Sequence, residues 1–263
     1  MKDTTKRKIC FAVLVHENKE LIKQLILNIN HYCPNSYVVL YNGGKNSNLC
    51  TDLNVPVCPT SKQLKYGNLA MYFVETMEWL EEIELEYDYF INIDSDALFF
   101  RKGFEEFIEE QMQDADYMAV KLRIPDKNWT CGKSFIKEKD TWKPFFSVSS
   151  FLGVFNVGQV MSKALVKEFV NYEKKVELKT ALTETTVFGI EEIVFVNLAN
   201  ELGFKLKNYP EEVGQRLIRF RPYFTKSELI ECIQLNEGWL VHPVKRKLND
   251  PARNYIYDLQ YGE

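Results

Sequence analysis

The chain has little that would tie it to nucleic acid. Lys and Arg number 33 against 37 Asp and Glu, the net charge is −4, and no long basic run occurs, so a phosphate backbone finds no footprint. A long apolar run is also missing. The run from Ile9 to Val15 is ended by His16-Glu17, far short of the ~20 residues that a membrane-spanning helix needs. No small-residue cleavage site follows, so this segment reads as the first buried strand rather than an export signal or integral anchor. Contact with a membrane surface stays open. The six cysteines, at 10, 33, 50, 58, 131 and 232, form no Cys-x-x-Cys pair and no regular framework. In a chain of 263 residues without an export signal, they are expected as reduced thiols in a cytoplasm. The glycosylation sequon Asn128-Trp129-Thr130 then carries no meaning. No internal repeat, low-complexity linker or clear boundary divides the chain, and one domain over 1–263 is the simplest organisation.

What is present is an alternation of strand and helix signals. "ICFAVLV" is a strand. Residues 18–30 carry Leu21, Ile22, Leu25, Ile26 and Ile29 at helical spacing. "SYVVLY" is a second strand, turned by Asn42-Gly43-Gly44. Residues 68–83 set Leu69, Phe73, Val74, Met77 and Leu80 on one helical face, and "DYFINI" is the next strand. Continuous apolar strands in this βαβ rhythm predict an α/β fold, a mostly parallel sheet flanked by helices. The second half is less regular. "ADYMAVKL" reads as a strand, 125–147 as a polar, aromatic-rich insertion, and "FLGVFNVGQVM" as a glycine-interrupted apolar segment. Helices are expected near 162–176 and 190–202, while the tail, 238–263, shows little periodicity.

"YFINIDSDALFF", residues 89–100, holds two carboxylates one residue apart inside one of the most apolar stretches. Like charges that close repel, and burying either is costly without a compensating positive charge. Asp94 and Asp96 follow the apolar part of a strand, at the edge where open parallel sheets bind ligands. A solvated turn is one reading. The other is a hard divalent cation, Mg²⁺ or Mn²⁺, held by carboxylates and phosphate oxygens.

A strand ending in Asp-x-Asp about 90 residues into an α/β chain resembles the GT-A (Rossmann-like) glycosyltransferases. Their motif binds the metal that bridges the diphosphate of a nucleotide-sugar. "FAVLVHENKELIKQLILNI", "YCPNSYVVLYNGG", "LKYGNLAMYFVETMEWL" and "YDYFINIDSDALFF" also run in the order seen in core-2/I-branching N-acetylglucosaminyltransferases. Those enzymes usually lack Asp-x-Asp, which points here to the metal-dependent GT-A families. "GVFNVGQVM" is similar to the Phe-Asn-x-Gly segment that faces the donor sugar in glycogenin-like transferases, which singles out Asn156 and Gly158.

The resemblance implies further roles. Glu191-Glu192 followed by an apolar helix is similar to the acid pair of inverting GT-A enzymes. The second acid, Glu192, matches their general base, with Glu191 as the less favoured candidate. Acids at a helix start also suit the helix dipole. His242 matches a C-terminal histidine returned to the metal, and Lys245 and Arg246 would meet diphosphate charge. His16 and Asn42, at strand ends, and Lys65 with Gly67, before a long helix, fall where the nucleotide lies in this fold. Each fits turn or cap chemistry equally well. The expectation is a metal-dependent glycosyltransferase with a nucleotide-sugar donor, UDP-based, and a carbohydrate or glycoconjugate acceptor. Residues 1–100 would form the nucleotide half and 101–263 the acceptor half and tail. Inversion is expected. A retaining transferase, a haloacid-dehalogenase-like phosphatase and a non-catalytic nucleotide or carbohydrate binder are the alternatives.

Overall fold

The structure, a computed structural model, describes residues 8–148 and 150–262. The first half runs β1 (Ile9–Val15), α1 (Lys19–Tyr32), β2 (Tyr37–Asn42), α2 (Ala70–Glu82) and β3 (Tyr89–Asp94). Then come β4 (Leu98–Phe99), α3 (Phe104–Gln111), β5 (Tyr117–Ala119), α4 (Thr130–Trp142), β6 (Val160–Ser162), α5 (Lys163–Val170) and α6 (Lys175–Glu184). The chain ends with α7 (Val194–Glu201), β7 (Leu206–Asn208), α8 (Glu211–Leu217), α9 (Lys226–Gln234), β8 (Leu240–Val241) and α10 (Pro251–Tyr261).

Six strands form one sheet in the order β2-β1-β3-β6-β5-β7. All pairings are parallel except the two made by β6, which runs against its neighbours. The expected mostly parallel sheet is therefore present. β1 reads as an unbroken apolar run because both its faces are covered: Phe11, Val13 and Val15 pack on one side, Cys10, Ala12 and Leu14 on the other. The larger of these, Phe11, Val13, Leu14 and Val15, each contribute about 1.5–3 kcal/mol when fully buried. The parallel register sets Leu14 beside Asp94 and Val15 beside Asn42, so the carboxyl ends of three strands share one edge.

Several elements differ from the sequence reading. The insertion 125–147 contains α4, whose inward face is Cys131, Gly132, Phe135 and Trp142; that face is too sparse to announce a helix by periodicity. The helix expected over 162–176 stops at Val170, closed at Asn171, and α6 follows. The helix expected from 190 begins instead as a tight 3₁₀ turn, Ile190–Glu192, after Gly189 at φ 72°, and α7 starts at Val194. The tail is not irregular: it holds β8 and α10. The buried stripe of α10 is Ala252, Arg253, Ile256 and Gln260, half polar, so hydrophobic periodicity misses it. Among the described residues, no helix is long and apolar enough to cross a membrane, and all six cysteines are buried free thiols.

Candidate metal centre and acid pair

Asp94 is the last residue of β3, and the Ala97 N–H returns to its carbonyl at 3.0 Å. A third donor arrives because β8 pairs antiparallel with β4, Leu98 opposite Val241 and Phe99 opposite Leu240. This pairing carries His242 back to the Asp-x-Asp turn, and the Val244 N–H fixes it there by donating to the Asp96 carbonyl at 2.8 Å. One ligand atom from each of Asp94, Asp96 and His242 lies within 4.8 Å of the others.

The histidine is oriented as a ligand. Its Nδ1 stands 2.9 Å from the Arg219 carbonyl, which can only accept, so Nδ1 carries a proton. Nε2 is left facing Asp96 Oδ1 at 3.2 Å. Such a carbonyl partner is how metal-binding histidines are held in one tautomer. The two carboxyls differ. Burial, then the charge of Asp96, pushes the Asp94 carboxyl up, and its Oδ1 is buried with no hydrogen-bond partner among the described residues. Burial also raises Asp96, but the His242 contact and the Arg246 charge outweigh it and hold its carboxyl low. An orphaned carboxylate oxygen, a second carboxylate and an imidazole nitrogen turned toward it suit a divalent cation such as Mn²⁺ or Mg²⁺.

Two arginines brace this turn. Arg246 spans Asp96 Oδ1 at 2.8 Å, Ser95 Oγ at 2.9 Å and Glu17 Oε1 at 2.8 Å. Arg253, on α10 and only 2% exposed, donates to the carbonyls of Lys245 at 3.1 Å and Ser95 at 3.3 Å. Burial pushes its guanidinium down to about 10. The sequence reading missed Arg253. The signal was Asp250-Pro251, a cap followed by a proline at the first helical position, which places Arg253 in the first turn of a helix.

The acid pair lies in the 3₁₀ turn. Glu191 is 3% exposed, and its Oε2 accepts from the Leu69 N–H at 3.1 Å. Burial, then Glu192 and more weakly Asp94, pushes its carboxyl up to about 8. Glu192 is 9% exposed and accepts from the Cys131 thiol at 2.9 Å. Burial pushes it up to about 7, against the lowering effects of Cys131, Arg123, the Asn156 backbone and Trp129.

His16 is exposed, 3.7 Å from Glu17. The Asn42 side chain accepts from the Gly44 N–H at 3.1 Å and donates to the Asn46 carbonyl at 2.8 Å, closing the loop after β2. Lys65 is exposed, and the Gly67 carbonyl accepts from the Gly189 N–H at 2.6 Å, which ties this loop to the acid-pair turn. The Asn156 carbonyl accepts from the buried Asn92 and Gln159 side chains at 2.9 and 3.1 Å. Gly158 turns at φ 81°, and its carbonyl accepts from Tyr209 at 2.9 Å. Lys245 is exposed, 6.0 Å from the Tyr223 ring.

No family model and no curated protein sequence matches the chain. Solved structures do. The galactosyltransferase LgtC in complex with donor and acceptor sugar analogues shares 9% identity and a TM-score of 0.51, over 97% of this chain and 95% of that one. An active-site mutant of LgtC gives 10% identity and a TM-score of 0.49 over the same shares. Core-mannan synthase A from Aspergillus fumigatus, in its Mn/GDP form, gives 8% and 0.45 over 80% of this chain and 74% of that one. The fold is that of the GT-A glycosyltransferases, as the motif order implied.

Proposed function

We propose that the chain is a metal-dependent glycosyltransferase that moves a sugar from a nucleotide-diphosphate donor, UDP-based, to a hydroxyl of a carbohydrate or glycoconjugate. The observation that carries this reading is the orphaned Asp94 oxygen beside Asp96 and His242 at the carboxyl edge of the sheet. Asp94, Asp96 and His242 would hold Mn²⁺ or Mg²⁺, which when bound offsets the charge of the diphosphate. Arg246, 2.8 Å from Asp96, would add positive charge at the same place, and Lys245 would meet the diphosphate from the adjoining position. Residues 1–100 then serve the nucleotide, with His16, Asn42, Lys65 and Gly67 around it. Residues 101–263 serve the acceptor and the sugar, with Asn156 and Gly158 at the sugar.

In the transfer, the acceptor oxygen bonds to the anomeric carbon while the bond from that carbon to the diphosphate breaks. The bonding pair leaves with the phosphate, and Glu192 takes the acceptor proton. A carboxyl near 7 is matched to that task at neutral pH. A single displacement of this kind inverts the anomeric centre. One observation favours a second reading: Glu191, not Glu192, is the acid whose carboxyl feels Asp94. A carboxylate on the metal side could attack the donor sugar itself, and a double displacement would retain configuration.

One experiment separates them. UDP-sugars are screened with Mn²⁺, and the product is examined by NMR in wild type, Glu192→Gln and Glu191→Gln. Inversion, with Glu192→Gln lowering the rate by on the order of 10²–10⁴ and sparing donor binding, is the expected result. Retention with Glu191→Gln as the damaging change replaces the first reading by the second. Absence of Mn²⁺-dependent turnover or binding with every nucleotide-sugar would contradict both.

A further inference from the structure

The insertion 125–147 has no part in the reaction as proposed above, yet its tip reaches the acid pair. Cys131, in the first turn of α4, donates its thiol to Glu192 Oε2 at 2.9 Å. The side chain of Trp129, whose only donor is its indole N–H, and the backbone N–H of Asn156 face the same carboxylate. The surroundings are cut to fit. A Cβ on Gly153 would lie 2.4 Å from the Trp129 ring, and one on Gly189 would lie 2.3 Å from the Cys131 sulfur. Neither position has room for a side chain while these two residues stand where they do. The outer face of the indole is covered by the Arg123 guanidinium, 3.9 Å from the ring.

We propose that the tip of α4, Trp129 with Cys131, is a positioning device for Glu192 in the transfer reaction. The inference rests on Glu192 being the base. Neutral donors favour the ionised carboxylate, although it is buried, without cancelling its charge. A cation in direct contact would hold the carboxylate more strongly but weaken it as a base. Here the cation is set back: Arg123 stacks on Trp129, and only its charge reaches Glu192. The groups facing Glu192 are Cys131 and Trp129 from α4 and its start, Arg123 from the loop after β5, the Asn156 N–H from the loop before β6, and Glu191 in its own turn. The device therefore fixes two things, where the carboxylate points and the pH at which it is ready.

The test uses the full chain. Glutamate is isotopically labelled, Glu192 is assigned from Glu192→Gln, and its titration is followed by NMR without substrate. The pH profile of transfer is then measured. Cys131→Ala and Trp129→Phe should each raise the pH at which Glu192 ionises, by on the order of 0.5–1 unit per lost donor. The acid limb of the transfer rate should move with it, while Mn²⁺-dependent UDP affinity stays. Cys131→Ser, which keeps a donor, should return both toward wild type. An unmoved Glu192 titration in the two folded variants overturns the proposal, as does a moved titration with an unmoved rate profile. Wild-type transfer by Glu192→Gln would instead strike the base assignment, and the inference with it.

Discussion

At the scale of residues, the molecule spends stability on its two acids. Glu191 and Glu192 are buried, and their carboxyls stand near 8 and 7 against an ordinary 4.5. Above pH 4.5 the unfolded chain has released these protons while the folded chain still holds them. With fewer protons bound in the unfolded state, stability falls as pH rises, and it does so through the window from about 4.5 to about 8. Glutamine copies the protonated form. Glu191→Gln should therefore match wild type near pH 4.5 and exceed it increasingly as pH rises, levelling above about 8. The gain there is on the order of 5 kcal/mol. Chemical denaturation across this range measures it, and a gap independent of pH would mean that Glu191 ionises normally. Asp96 works in the other sense. Its carboxyl, held low chiefly by His242 against burial, loses its contribution only as pH falls below the ordinary range.

At the scale of elements, the Asp-x-Asp turn depends on the C-terminal strand and helix. β8 pairs with β4 and delivers His242, while α10 inserts Arg253 beneath Ser95 and Lys245. The start of α10 is fixed by Asp250, whose side chain accepts from the N–H groups of Ala252 and Arg253 at 3.1 and 3.2 Å. Asp250→Ala should cost about 0.5–2 kcal/mol of stability. Because the lost cap frays the turn that carries Arg253, it should also weaken Mn²⁺-dependent UDP binding. Thermal unfolding and calorimetry measure the two effects, and unchanged UDP affinity in the destabilised variant would show that α10 supports the fold without supporting the site. β8 cannot be probed by deletion, since Leu240 and Val241 are buried and Trp239 stacks on Phe107 with ring centroids 4.4 Å apart.

At the scale of the whole molecule, the first half was legible because its strands are buried on both faces and its helices are amphipathic. Ile9–Val15 and Leu21 to Ile29 announce themselves by period alone. The edge position of Asp94 followed from where the apolar run ends. The pairing of β8 with β4 did not, because two-residue strands separated by more than a hundred residues leave no periodic trace. Family resemblance points to His242, and this long-range pairing explains how it reaches Asp96. Arg253 and Gln260 disguised α10 by occupying inward positions with polar atoms. The clamp of Trp129 and Cys131 on Glu192 depends on the missing side chains at Gly153 and Gly189, a complementarity across segments that a linear reading does not contain.

The central claim is that Asp94, Asp96 and His242 form a cation site which holds a nucleotide diphosphate. Calorimetry of UDP binding with Mn²⁺, with Mn²⁺ chelated, and with Asp96→Asn tests it most directly. Asparagine keeps the shape of the side chain and removes the hard anionic ligand. Binding to wild type is expected only when Mn²⁺ is present, and none to a folded Asp96→Asn. Equal UDP affinity in wild type and Asp96→Asn, or affinity indifferent to Mn²⁺, would contradict it.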